Sequence, residues 1–504
     1  MKKWFYISIL FALFVISACT DEKSNLTSVK EKELTFLSNF TLDTFDPHLS
    51  WNTLRAGITE TLVNLSDDGE LYPGLAVGWE TENNGQTWIL TIRDNVTFHN
   101  GVSLTAETVK ASIERNLEVS EAMKLALKIE KIEADGQTLT IYLEESLYSF
   151  PSELTHPNTS IVEVGSENID NKPIGTGPFQ LKAFEPGSKA ELVKFDDYWD
   201  GEPKLDRVHF IFNADENART AALQSGDADI VYRPALESLR MLSEYSDIDT
   251  IVSPSSRSTM LLYNTDKETV SDVNVRKAIS SLVDREQIVS DIMSGNAIVA
   301  SGPFLKNTPF AISEDEKAFN RQEAKEYLEA AGFENENGKM MKDGEELTLK
   351  LVTYSYRPDL PLIAQYLESN AKELGLSVEI LIVENIDEQL NSDDWDIAIY
   401  SANTNPRGGA SYYLNAVLYP GGSVNFKDFN DTKLIETIDT FNQTENEEER
   451  IQLAKEAISI ASEQEYISFL VHPSNYAAYK SNVKNYSLNI GEFYMLTKDI
   501  DVME

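Results

Sequence analysis

Residues 347–400 read LTLKLVTYSYRPDLPLIAQYLESNAKELGLSVEILIVENIDEQLNSDDWDIAIY. Residues 347–354 have the short apolar, β-branched character of a strand. Residues 361–374 space their apolar side chains for a helix, with Pro361 early and Gly375 just past the end. Residues 376–383 and 395–400 return to strand character. Strand, helix and strand joined by short connections predict a parallel pair with a right-handed crossover. Ligands of such sheets tend to bind outside the carboxyl ends of the strands. Tyr400 is one such end, and the irregular residues 401–413 follow it. Tyr400, Asn403, Asn405, Arg407 and Tyr412 are therefore candidate binding residues. A Gly-, Pro- and Asn-rich surface loop without a ligand fits the same segment equally well on this ground.

Working outward, the pattern stays mixed α/β. Residues 87–93 place Trp88, Leu90 and Ile92 on one face of a strand, and 208–213 and 229–232 are further strands. Residues 321–331 read as a helix through Ala324, Tyr327, Leu328 and Ala331, with Gly332 as its stop. No internal repeat stands out. A length of 504 residues corresponds to about three units of ~150 residues. With 41% hydrophobic and 25% charged residues, the chain can bury a core and is not fibrous or disordered. Its 43 Lys and Arg against 83 Asp and Glu give a net charge of −40. That excludes a broad basic face for nucleic acid and disfavours docking on anionic lipid, because both need Lys and Arg. One cysteine excludes an intramolecular disulfide framework and a Cys-rich zinc site.

The amino-terminal segment carries its own message. Lys2 and Lys3 precede thirteen residues, 4–16, that are apolar except for Ser8. A membrane-spanning helix needs about 20 residues, so this run has the length of a signal-peptide core. It ends Ile16-Ser17-Ala18-Cys19. Small residues before the single cysteine resemble a bacterial lipoprotein processing site. The expectation is a signal peptide over 1–18, lipidation of Cys19 by acyl chains such as palmitate, and a solvated tether over 19–32. An ordinary secretory signal with Cys19 near the cut is the plainer alternative. No other run is long enough to cross a bilayer, so a channel or permease is not expected.

Chemistry-bearing motifs are missing where an enzyme would need them. There is no Gly-x-Ser-x-Gly elbow, no phosphate-binding loop ending in Lys-Ser/Thr and no His-Glu-x-x-His. Gly175-Thr176-Gly177 runs into Pro178 and reads as a tight turn. Pairs such as Asp67/Asp68 and Asp196/Asp197 are expected by chance at this composition. The five histidines, His48, His99, His156, His209 and His472, lack the close spacing of a metal site on one helix or hairpin. No resident cofactor or metal is expected.

Many short segments together carry a family resemblance. They include Asp46-Pro47-His48, Gly57-Ile58-Thr59-Glu60-Thr61-Leu62, Leu71-Tyr72-Pro73-Gly74-Leu75-Ala76, Gly85-Gln86-Thr87-Trp88 and Arg93-Asp94-Asn95-Val96-Thr97-Phe98-His99-Asn100-Gly101. Gly175-Thr176-Gly177-Pro178-Phe179, Tyr198-Trp199, Leu223-Gln224-Ser225-Gly226-Asp227-Ala228-Asp229, Tyr263-Asn264-Thr265 and Val275-Arg276-Lys277-Ala278-Ile279 follow in order. The chain resembles the extracytoplasmic solute-binding proteins of peptide and nickel ABC importers, bacterial solute-binding protein family 5, with spacing closer to the nickel branch. The resemblance implies a two-lobed α/β periplasmic-binding-protein fold of type II, in the large class with an extra subdomain. One lobe would take 33–253 plus 480–504, the other 264–466, and two crossing hinge segments 254–263 and 467–479. It implies no catalysis. A monomer held by its lipid anchor outside the bacterial membrane would capture a short peptide or a nickel–chelator complex. It would then deliver this ligand to an ABC permease and its ATPase subunits. A surface sensor for peptides or pheromones on the same fold is the alternative.

The resemblance also implies site residues. Some relatives capture a peptide amine with an Asp where this chain has Asn405, which carries no charge. Nickel-chelate binders often place an Arg where this chain has Asn158. Arg55 and Arg407 are the candidate replacements, because a guanidinium grips a carboxylate through two parallel hydrogen bonds. Structural salt bridges are the competing reading for both. Met123 falls near an apolar pocket residue of the nickel branch, and Met is also common core filler. His156 is the histidine best placed to border the cleft.

Overall fold

The computed structural model describes residues 31–66, 69–312, 317–427 and 429–503. The expected signal peptide, Cys19 and all but the end of the tether lie outside them. Three sheets organise the described chain. A seven-stranded sheet has the order Ile248–Ser253, Asn475–Lys480, Ile230–Tyr232, Glu33–Ser38, Arg207–Phe212, Lys189–Lys194, Phe179–Glu185. A six-stranded sheet has the order Ala297–Val299, Ile467–Pro473, Arg257–Tyr263, Ile397–Asn403, Thr348–Tyr354, Ser377–Val383. A four-stranded antiparallel sheet is built from Ala76–Glu82, Thr87–Ile92, Thr138–Leu143 and Ile129–Asp135.

The strand, helix and strand of residues 347–383 fold as their pattern predicts. The strands Thr348–Tyr354 and Ser377–Val383 pair in parallel, Thr348 opposite Ser377 through Tyr354 opposite Val383. The helix Asp359–Leu374 connects them and buries Leu360, Ile363, Ala364, Leu367 and Ala371. Pro361 is tolerated in its first turn, where backbone N–H groups have no helical partner. Gly375 closes it at φ 90°, a left-handed conformation that glycine adopts freely. The third strand differs from expectation at both ends, running from Ile397 to Asn403. Trp395 stays outside it and is buried, its indole donating to the carbonyls of Leu390 and Ser392. The strand continues to Asn403 because it pairs antiparallel with Arg257–Tyr263, Arg257 opposite Asn403. Residues 401–403 thus belong to the sheet and not to the following loop.

Trp88, Leu90 and Ile92 are buried together on one face of the four-stranded sheet. The helix Ala106–Val119 buries Val109 and Ile113 in the same core, and Thr105 and Thr108 form a capping box at its start. Met123 is also part of this core.

The chain passes between the two large sheets twice. Pro254, Ser255 and Ser256 link Ile248–Ser253 to Arg257–Tyr263, and Ser474 alone links Ile467–Pro473 to Asn475–Lys480. The crossings touch, since the Ser255 hydroxyl donates to the Pro473 carbonyl. The result is a two-lobed α/β molecule. Among the described residues no helix is long and apolar enough to cross a membrane.

Candidate functional site

Four arginines converge where the large sheets meet. Arg233 follows the Ile230–Tyr232 strand, and Arg257 opens the Arg257–Tyr263 strand. Arg357 lies three residues beyond the end of Thr348–Tyr354, and Arg55 ends the short helix Asn52–Arg55. At their centre is Glu492, from the carboxyl-terminal segment and 5% exposed. Its carboxylate accepts from the Tyr232 hydroxyl at 3.1 Å and lies 3.4 Å from Arg257 and 3.8 Å from Arg233. The Arg55 Nε donates to the Glu492 carbonyl at 3.1 Å. Burial alone would raise the Glu492 pKa, but Arg257, Arg357, Arg233 and Arg55 together hold it down at about 2. Burial lowers Arg55 to about 10, with Glu492 opposing the shift.

One carboxylate does not use all the donors of four guanidiniums. The Nε of Arg257 and one terminal nitrogen of Arg357 are buried and have no hydrogen-bond partner. The backbone here is held unusually as well. Arg233 has φ 52° and Glu492 φ 64°, left-handed conformations that cost a residue with a side chain about 1–3 kcal/mol each. Arg219 braces the first, donating to the Arg233 carbonyl through Nε and a terminal nitrogen. Aromatic rings complete the walls. The Arg55 guanidinium stands 3.6 Å over Phe40 and 5.2 Å over Trp51, and Arg233 stands 5.2 Å over Tyr476. Trp51 meets Phe493 and His156 edge-on.

The candidate residues read from the sequence distribute around this cluster. Arg55 is part of it. Asn403 lies directly across the strand pair from Arg257. Tyr400 packs on Tyr354 at 6.1 Å and donates its hydroxyl to Asp387 at 3.0 Å. Tyr412 lies under Arg407, 4.9 Å from ring centre to guanidinium. Arg407 itself is turned to the protein's own Glu153, a buried ion pair between the loop after Ile397–Asn403 and the short helix Phe150–Glu153. Asn405 holds its backbone N–H on Asn403 at 3.2 Å, and its side-chain oxygen is buried without a partner. Asn158 is occupied structurally, accepting from the Trp51 indole at 2.9 Å and donating to the Pro47 carbonyl at 2.9 Å. Met123 is 5% exposed in the core of the four-stranded sheet, away from the arginines.

His156 is not disposed to bind a metal. Its Nδ1 accepts the Asn158 backbone N–H at 3.1 Å. Burial lowers its pKa to about 4, so the ring is neutral and carries its proton on Nε2. One nitrogen is spent and the other is a donor. Among the described residues no group of three His, Cys, Asp or Glu side chains could hold a metal ion.

Arg233, Arg257, Arg357 and Glu492 escaped the sequence reading. The carboxyl-end rule that selected Tyr400 also selects Arg233 and Arg357, each just past a strand. Arg257 follows the Pro254-Ser255-Ser256 crossing. Glu492 sits in a segment with no periodic signal.

Known proteins share this fold. A family profile described as bacterial extracellular solute-binding proteins, family 5, matches residues 70–425, more than half of the chain. The nickel-binding protein NikA of Staphylococcus aureus is 29% identical over 491 residues, covering 97% of each chain. The oligopeptide-binding protein AppA of Bacillus subtilis is 26% identical over 528 residues, covering 95% of each. The crystal structure of a nickel ABC transporter from Bacillus halodurans is 46% identical, with a TM-score of 0.79 over 94% of this chain and all of that one. NikA from Staphylococcus aureus in complex with Ni(L-His)2 superimposes with a TM-score of 0.84 at 28% identity, over 94% of this chain and all of the other. These are solute binders of nickel and peptide importers, not enzymes, on the type II periplasmic-binding-protein fold. This chain belongs to the bacterial extracellular solute-binding proteins of family 5.

Proposed function

We propose that this chain is the substrate-binding component of an ABC importer, lipid-anchored through Cys19 on the outer face of the bacterial cell membrane. It acts as a monomer that captures a small solute between two lobes and hands it to a membrane permease driven by ATPase subunits. One lobe takes 33–253 with the carboxyl-terminal segment and the other the residues between the crossings; within the expected hinge spans 254–263 and 467–479, the residues that link the two large sheets are 254–256 and 474. A tether over 19–32 keeps the carrier at high local concentration beside its permease.

One observation carries this reading. Guanidiniums from both sides of the crossings meet around Glu492, the helix-borne Arg55 with Arg233 from one side and Arg257 with Arg357 from the other. A solute held by both sets stabilises the closed form by its differential affinity for it. The ion pair of Glu153 with Arg407 and the 2.8 Å hydrogen bond between the Ser149 and Ser411 hydroxyls also join residues of the two proposed lobes. A nickel–chelator complex is favoured over a short peptide. Two of the relatives above are named for nickel, and Asn405 offers no charge to a peptide amine. Tyr400, Asn403, Asn405 and Tyr412 are the proposed lining beside the four arginines, of which Arg55 is one.

The test is native mass spectrometry of protein purified without refolding. A bound mass of a few hundred daltons with a nickel isotope pattern is expected. A ladder of peptide masses would replace the chelate with a peptide. Uptake that survives deletion of the protein would make it a sensor and not a carrier.

A further inference from the structure

A third stretch of chain touches both crossings. Tyr486 and Leu488 on one side of it, and Met495 and Leu496 on the other, are buried in the core of the seven-stranded sheet. Between them residues 489–492 leave that core as a turn. The Glu492 N–H donates to the Asn489 carbonyl at 3.2 Å, and the Gly491 N–H to the Asn489 side-chain oxygen at 2.9 Å. Carbonyls of this turn meet the crossings. Ser256 donates its backbone N–H and its hydroxyl to the Ile490 carbonyl, at 3.4 and 3.1 Å. Asn475, just past the second crossing, donates its side-chain amide to the Asn489 carbonyl at 3.3 Å. Ser256 is also held from the six-stranded sheet. Its carbonyl accepts the Thr404 N–H at 2.9 Å and the Thr404 hydroxyl at 3.1 Å, directly after the strand Ile397–Asn403.

A hinge works because a few residues absorb the change in φ and ψ while the lobes stay rigid. The crossings offer only residues 254–256 and 474 for this, and their backbone is not free. We propose that the turn 489–492 is a strap across the hinge, with Ser256 and Asn489 as positioning residues that limit how far the lobes swing apart. The strap is rooted at both ends in one lobe and ties the crossings to that lobe. Bending is thereby confined to the side of Ser256 that faces the six-stranded sheet, where the two bonds to Thr404 must give. The inference rests on the reading that the lobes move about the crossings.

Spin-label distances between the lobes test it, with no solute added. Cys19 is the single cysteine of the sequence, so a full mature chain with Cys19→Ser, Glu144→Cys and Gln443→Cys carries one label pair. These two exposed residues flank the contact in which the Tyr148 N–H donates to the Asn442 carbonyl at 3.4 Å. The labelled parent is expected to give one narrow distance distribution. Ser256→Ala with Asn489→Ala should at least double its width and extend it to longer distances, with the circular dichroism spectrum unchanged. Ser256→Ala alone should broaden it less, in the same direction. Asn489→Asp alone keeps the oxygen that accepts from Gly491 and should leave the distribution narrow. Pro254→Gly loosens the first crossing without touching the strap and should broaden it. Ala variants that stay as narrow as the parent while Pro254→Gly broadens would overturn the strap and leave the moving lobes in place. Narrow distributions throughout would overturn the strap together with the lobe motion on which it rests.

Discussion

Arg407 shows how a side chain that suits a ligand can be spent on the protein. Both it and Glu153 are about 95% buried, and each is the other's counter-charge. Removing one partner of such a pair leaves a buried charge alone, at a cost of about 3–5 kcal/mol. Arg407→Ala is therefore expected to lower the urea unfolding free energy by that order. The double variant Glu153→Met with Arg407→Met should recover most of the loss. A single variant of undiminished stability that has lost its solute would return Arg407 to the binding site. Arg55 stands in the opposite position. It shares its carboxylate neighbour with three other arginines, and its role depends on what they jointly hold.

At the scale of elements, the crossover unit is the part of the fold whose local signals all agree. Its helix ends at Gly375 for a reason that a substitution can expose. A Cβ there would lie 2.7 Å from the Gly338 carbonyl oxygen, on a backbone already at φ 90°. The left-handed conformation alone costs a residue with a side chain about 1–2 kcal/mol. Gly375→Ala is expected to lose about 2 kcal/mol in denaturant unfolding. An unchanged midpoint would mean that the turn between helix and strand relaxes freely. The strand Ile397–Asn403 illustrates the opposite case. Its last three residues carry loop-like composition and are recruited by Arg257–Tyr263 across the sheet, because tertiary pairing overrides local preference.

The whole molecule carries a pH signature. His48, His99, His156 and His472 are all held near pKa 4, chiefly by burial, with the Arg115 guanidinium adding to the effect at His48 beside Asp46. Unfolded histidine titrates near 6.5, so below that pH the unfolded chain binds protons that the folded chain refuses. The stabilisation is complete above pH 6.5 and is lost as pH falls toward 4. At pH 5 each such histidine costs about 2 kcal/mol. Urea unfolding at pH 7 and pH 5 should show a drop of several kcal/mol. A flat profile between the two pH values would show that the four rings are not kept neutral by the fold.

Local periodicity alone determined the α/β class, the parallel crossover and the buried face of the Thr87–Ile92 strand. Each of these is written within ten to thirty consecutive residues, where apolar spacing and a closing glycine act together. The ordered short motifs extended that to the family. The cluster at the lobe junction was a different matter. Arg55, Arg233, Arg257, Arg357 and Glu492 come from five separated segments, and no local pattern marks one arginine as facing another. The same holds for Arg407, whose counter-charge lies on a distant helix, and for Met123, which only packing assigned to a core. Charge pairing acts through space, so the tertiary structure alone decided which arginines gather around Glu492.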